Sequence, residues 1–169
     1  MPDGGGQSTG GLGKGLNRIY DRTRHGRAQE SVTAPAVAGD FEQLHGHKYC
    51  LLTTFRRSGE GVPTPVWFGI DDGKLYVRTG ADTAKVRRIR NNGTARVAPS
   101  TLRGKPLGPP IAASARVLPR EEEDRAERAL TANYGIERKL YERFLGGSEE
   151  SAAYIEVSPA TPSTNSPKA

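Results

Sequence analysis

Residues 61–67 read GVPTPVW, a run of strand-forming residues interrupted twice by proline. Pro63 and Pro65 stand two apart, so in an extended chain both missing N–H groups fall on the same edge of the strand. That edge cannot continue an ordinary ladder, while Val62, Thr64 and Val66 remain able to pair on the other side. The spacing therefore predicts a strand at a sheet edge or a bulge. The bare edge either guards against edge-to-edge aggregation or receives a flat ligand beside Thr64 and Trp67. Trp67 reads equally as core packing.

The neighbouring segments carry the same two-residue period. KYCLLTTFR (48–56) places Tyr49, Leu51, Thr53 and Phe55 on one face and Cys50, Leu52 and Thr54 on the other. RSGEG reads as a hairpin loop, GVPTPVWFGI (61–70) as a second strand, DDG as a tight turn and KLYVRT (74–79) as a third strand. Together these predict an antiparallel meander. A helix opening at Asp82 or Thr83 follows, then strands at 94–99 and 111–118. DFEQLHGH (40–47) predicts a short helix with Asp40 available as its cap. REEEDRAERALTANY (120–134) and ERKLYERFL (137–145) predict two helical segments, the second with Leu140, Tyr141, Phe144 and Leu145 in one apolar stripe. AAYIEVS (152–158) alternates as a closing strand. The result is a mainly β chain with flanking helices, six or so antiparallel strands closing into a small barrel around one core.

Of the 169 residues, 40–157 carry this pattern. Residues 1–39 hold nine glycines and little periodic apolar character, and 158–169 read SPATPSTNSPKA. Both ends are expected to be disordered tails around a single domain. The stretch GGGQSTGGLGKG is no phosphate loop, because Ser8 replaces the first required glycine and Gly15 follows Lys14 where Ser or Thr belongs. Cys50 is the only cysteine, which excludes an intrachain disulfide. With no long apolar run and no signal-peptide segment, a soluble cytoplasmic protein is expected.

The net charge of +6 is unevenly spread. Residues 40–105 have 12 basic and 6 acidic side chains, whereas 106–157 have 7 and 10. The positive field centres on ADTAKVRRIRNNGTARVAP (81–99), five cations against one acid. Its Lys85 falls in the first turn of the expected helix, where the dipole disfavours a cation by roughly 0.3–1 kcal/mol. An anion held there would offset that cost. Gly80 permits close approach, Thr83 can cap the helix or donate to an oxygen, and amides 83–85 point out of the helix start. Arg88 lies one turn on, on the face of Lys85, while Val86 and Ile89 mark the buried side. A solvated basic helix face fits the same spacing.

Other chemistry finds little support. His45, His47 and Cys50 lack a second ligand cluster, so no metal site is expected. No serine has histidine and acid around it, and no paired carboxylates stand out. Chemistry would then come from a bound cofactor.

The string YCLLTTFRRSGEGVPTPVWFGIDDGKLYVRTGADTAKVRRIRNNGTARVAPSTLRG resembles the pyridoxamine 5′-phosphate oxidase-like superfamily. More closely it is similar to the actinobacterial members that use the deazaflavin coenzyme F420. The most specific parts are TPVWF, DDGKLYVRT and TAKVRRIRNN, and the resemblance covers about residues 40–157. It implies a split β-barrel of the FMN-binding type, pairing as a homodimer with a cofactor in each groove between subunits. The ring would lie along Thr64, Pro65, Val66 and Trp67. The phosphate would be held around Thr79, Thr83, Lys85 and Arg88, and Arg78 is a further cofactor-binding candidate. The implied reaction is hydride transfer between the coenzyme and a small organic molecule. Coenzyme F420 ends in a chain of glutamates, for which Arg56, Arg57, Arg87 and Arg103 are candidates, or are simply solvated charge. Tyr76, Tyr134 and Tyr141 could donate a proton, but no residue is singled out as catalytic.

Three alternatives stay open. One is a flavin mononucleotide (FMN) enzyme on the same fold. Another is a barrel that only carries its ligand. The third is a nucleic-acid-binding barrel using Arg87, Arg88 and Arg90 with Trp67 and Phe55 as stacking residues, which the acidic second half disfavours.

Overall fold

A computed structural model describes residues 25–145 and 152–161. Seven strands form one antiparallel sheet: β1 (Tyr49–Phe55), β2 (Gly61–Trp67), β3 (Gly69–Asp71), β4 (Lys74–Gly80), β5 (Thr94–Ser100), β6 (Ile111–Val117) and β7 (Ala152–Pro159). Their order across the sheet is β2-β1-β5-β6-β7-β4-β3. The sheet curls into a half-barrel with a few helices against it, the split-barrel architecture. The helices are α1 (Glu30–Thr33), α2 (Ala84–Asn91) and α3 (Glu123–Leu145).

The edge position expected for the proline strand is the one observed. β2 ends the sheet, pairing with β1 so that Pro63 faces Thr53 and Pro65 faces Leu51. The expected meander splits in two: β1 pairs with β2 and β3 with β4, but β2 and β3 lie at opposite edges of the sheet. At Phe68 the chain leaves one edge of the sheet and starts β3 at the opposite edge, and β4 pairs with β7, not with β2. The second predicted strand is thus two, and the jump at Phe68 is what brings the sheet edges toward each other. The β3–β4 turn is as tight as DDG suggests, with Asp72 at φ 50° and Gly73 at φ 71°.

Alternation sorts the side chains. Cys50 and Leu52 of β1, Leu75 and Val77 of β4, Ala95 and Val97 of β5, and Ile155 and Val157 of β7 fill the barrel interior. Val86 and Ile89 of α2 plug the same core. Tyr76 and Tyr154, on the opposite faces of β4 and β7, pack with Ala126 and Ala129 of α3. Beside them the buried Glu156 accepts from Lys74 Nζ (3.1 Å), Tyr76 Oη (3.2 Å) and Arg116 Nε (3.0 Å), tying β4, β6 and β7 together.

Two corrections concern helices. Residues 123–145 form one helix, not a helical pair, running through Gly135 at a propensity cost of about 1 kcal/mol. Residues 25–39, expected in a disordered tail, carry a 3-10 turn (Gly26–Gln29), α1 and a bridge from Val37 to Ile111. Ala28 and Ser31 are the arm's own buried residues, facing the outer side of β1, β2 and β5 on which it lies. Residues 1–24, 162–169 and the side chains of the 137–145 stripe lie outside what the structure describes. DFEQLHGH forms a single 3-10 turn, Glu42–Leu44, with Asp40 Oδ1 accepting from the amide of Glu42 at 3.1 Å.

Candidate functional site: a cationic helix at the rim of the half-barrel

The Val86 and Ile89 plug determines where the cations of α2 go. Burying these two residues leaves Lys85 and Arg88 half-buried at the rim and Arg87 and Arg90 exposed. Lys85 Nζ donates to Thr79 Oγ1 of β4 at 2.9 Å. Arg88 Nε donates to Thr54 Oγ1 of β1 at 2.7 Å. Burial, and then the nearby Arg88 charge, push the Lys85 ammonium down to about 8. Among the described residues no carboxylate offsets that loss. Two cations are therefore held close together, partly out of water, without an acid to neutralise Lys85.

Thr83 is the N-cap residue of α2, yet its side chain makes no capping bond. Its hydroxyl donates to Gly80 O at 2.9 Å, and its amide to the same carbonyl at 3.2 Å. The outward-pointing amides thus begin at Ala84, one residue later than the spacing suggested. Lys85, Thr79 and Arg88 come together between β4 and α2, with Thr83 at the helix start turned back onto Gly80 O.

The remaining candidates fall on both sides of the sheet. Thr64, half-buried, lies across from Leu52 on the inner face, two register positions from the Thr54–Val62 pair. Val66 is buried in the barrel core. Pro65 and Trp67 point to the outer face. Trp67 stacks on Tyr134 of α3 with ring centroids 4.5 Å apart, and meets Tyr49 edge-on at 5.9 Å. Within one chain a neighbouring aromatic therefore covers the indole, in line with the packing alternative. Arg78 pairs across the sheet with Tyr154, bonds that tyrosine and so faces α3, opposite to Thr79. It does not join the Lys85 cluster.

The candidates for an acidic tail divide too. Arg57 Nη2 donates to Asn91 Oδ1 at the end of α2 (3.4 Å), and Arg56 pairs with Glu60 at 3.2 Å. Arg103 is in the loop over the outer face, where the adjacent Gly104 approaches Leu51 and Pro65. Of the tyrosines, Tyr134 accepts from the amide of Phe68 (2.8 Å) and donates to Lys48 O. Burial first of all raises its hydroxyl well above the ordinary tyrosine range, so it is a clamp on the chain crossing. Tyr76 is buried and committed to Glu156. The side chain of Tyr141 lies outside the described residues. A separate cleft of about 170 Å³ opens beside His45, His47, Phe68 and Asn133, away from α2.

The fold is thus a split half-barrel with a partly desolvated cationic pair at its rim. Residues 40–160 match the family model described as pyridoxamine 5′-phosphate oxidase, and the chain belongs to that family. No curated protein sequence matches the chain. Among solved structures it is similar to a protein of unknown function from Agrobacterium tumefaciens (TM-score 0.55, 18% identity), covering 70% of this chain and 51% of that one. The chain thus spans about half the length of that relative. An FAD-binding protein from Mesorhizobium loti aligns with TM-score 0.52 and 13% identity over 70% of this chain and 85% of the other. An F420 reductase aligns with TM-score 0.47 and 18% identity over 75% and 97%. Likeness at such identities speaks to fold alone. Among the described residues no helix is long and apolar enough to cross a membrane.

Proposed function

We propose that this chain is an oxidoreductase that uses the deazaflavin coenzyme F420, two copies pairing with a coenzyme in each groove between them. The observation that carries the reading is the Lys85–Arg88 pair on α2, half-buried and braced by threonines from two strands. The donor set fits a phosphodiester: an ammonium, a guanidinium, a hydroxyl and helix-start amides, with no acid among the described residues to compete for Lys85. When bound, the coenzyme supplies hydride transfer to or from a small organic molecule. The chain's own residues bind and orient. Lys85, Arg88, Thr79 and Thr83 would hold the phosphate, and Arg57 and Arg87, exposed at α2, would meet the glutamate tail. Thr64, Pro65, Val66 and Trp67 would define the strand beside the ring, with the backbone edge of β2 as the contact, because Val66 is in the core and Trp67 is stacked. Arg78 would act only from the α3 side.

The test is a titration of purified protein with coenzyme F420 and with FMN, followed by fluorescence. Tighter binding of F420, and loss of most of that affinity in Lys85→Ala, are the expected results. Equal or better binding of FMN would replace this reading with the flavin enzyme. Binding without turnover of the reduced coenzyme by any small acceptor would leave a carrier.

A further inference from the structure

The inner row of β1 reads Cys50, Leu52, Thr54, two apolar residues and then a hydroxyl. Thr54 is fully buried, with 0% of its surface exposed. A hydroxyl placed in an apolar barrel costs free energy unless it is bonded. Here it accepts from Arg88 Nε at 2.7 Å, a short charge-assisted contact. β1 is ladder-paired on both sides, to β2 and β5, so Thr54 is anchored in the sheet interior. The contact on Nε fixes the guanidinium plane, and with it the direction of the Nη donors, against a strand instead of leaving it to a flexible stem.

Thr79 does the same for Lys85 from β4, near the other end of the sheet order. Two threonines from well-separated strands thus brace two cations from one helix. Neither brace is an acid, so these two bonds orient the cations without neutralising them. Resting on the reading of α2 as an anion grip, we infer that Thr54 is a positioning residue that sets the Arg88 guanidinium for the ligand's phosphate.

The experiment uses the full chain with Thr54→Val, which keeps the shape, Thr54→Ser, which keeps the hydroxyl, and Lys85→Ala, Arg88→Ala and Thr54→Val/Arg88→Ala. Affinity for coenzyme F420 and for inorganic pyrophosphate is measured alongside the melting temperature and the hydrogen exchange of Arg88 Nε–H by NMR. Thr54→Val should weaken F420 binding about tenfold, the scale of one lost hydrogen bond to a charged group. The same variant should speed Arg88 Nε–H exchange without lowering the melting temperature. Thr54→Ser should restore affinity, and Thr54→Val should add nothing once Arg88 is alanine. Equal losses in Thr54→Val and Thr54→Ser, or a full Thr54→Val effect in the Arg88→Ala background, would overturn the proposal while leaving the anion grip intact. F420 affinity unchanged in both Lys85→Ala and Arg88→Ala would overturn the grip itself, and the role of Thr54 with it.

Discussion

Lys85 holds its proton loosely because burial and Arg88 both oppose its charge, and that makes ligand binding report on pH. In the free protein the ammonium titrates near 8. A bound phosphate adds attraction and moves the titration upward, so binding above that pH takes up a proton. Affinity should therefore be flat below pH 8 and fall as pH rises beyond it, approaching one decade per pH unit. Lys85→Arg, whose charge persists through this range, should bind with a flat profile, and Lys85→Met should be weak throughout. A wild-type profile level to about pH 10 would show that Lys85 does not meet the anion. The residues at this site were unevenly legible. Lys85 and Arg88 stand out because a basic first turn is locally unfavourable. Thr54 was hidden, since a threonine in a strand looks like simple β propensity until its partner 34 positions away is known. The separation of Arg78 from Thr79 follows from strand alternation alone.

At the scale of elements, strand positions were readable from period-two patterns and turn residues, but strand order was not. β4 finds β7 rather than β2 across more than 70 residues, a choice made by the closing core that no local pattern contains. What holds that crossing is α3. Gly69 of β3 comes so near α3 that an added Cβ would lie 2.4 Å from the carbonyl of Ala129. Because the obstacle is backbone, Gly69→Ala should destabilise by about 1–3 kcal/mol or more, measured as a lower urea midpoint. Tyr134 reaches across the same junction with its hydroxyl, while its ring stacks on Trp67. Tyr134→Phe keeps the stack but orphans the amide of the buried Phe68. A loss of about 1–3 kcal/mol with little change in Trp67 emission is expected. Tyr134→Ala should lose more and shift the emission. A negligible loss in Tyr134→Phe beside a large one in Tyr134→Ala would show that the ring, not the hydroxyl, is the clamp.

Across the whole molecule, the charges divide between the α2 rim and the α3 side. The α2 cations gather at one rim, while on the α3 side Glu122 and Glu156 of the second half pair with Arg116, and Arg125 pairs with Asp71 and Asp72 of the β3–β4 turn. The arm at residues 25–39 escaped the composition reading because its anchors are backbone atoms. Arg96 Nη1 donates to Val32 O at 2.6 Å and to Ala34 O at 3.0 Å, from beneath the arm on β5. The arm then returns to the sheet through Val37, whose amide donates to Pro110 O and whose carbonyl accepts from the amide of Ala112. Only small buried groups, Ala28 and Ser31, accompany these bonds, so little apolar area holds the segment. Arg96→Met should therefore release the arm without opening the barrel. In hydrogen exchange, the amides of Ala34 and Val37 should lose protection, while those of β1 and β7, held by their own ladders, keep theirs. Unaltered protection at Ala34 would mean that the apolar contacts of the arm suffice. Simultaneous loss across β1 would mean that the arm is part of the cooperative core rather than a strap on it.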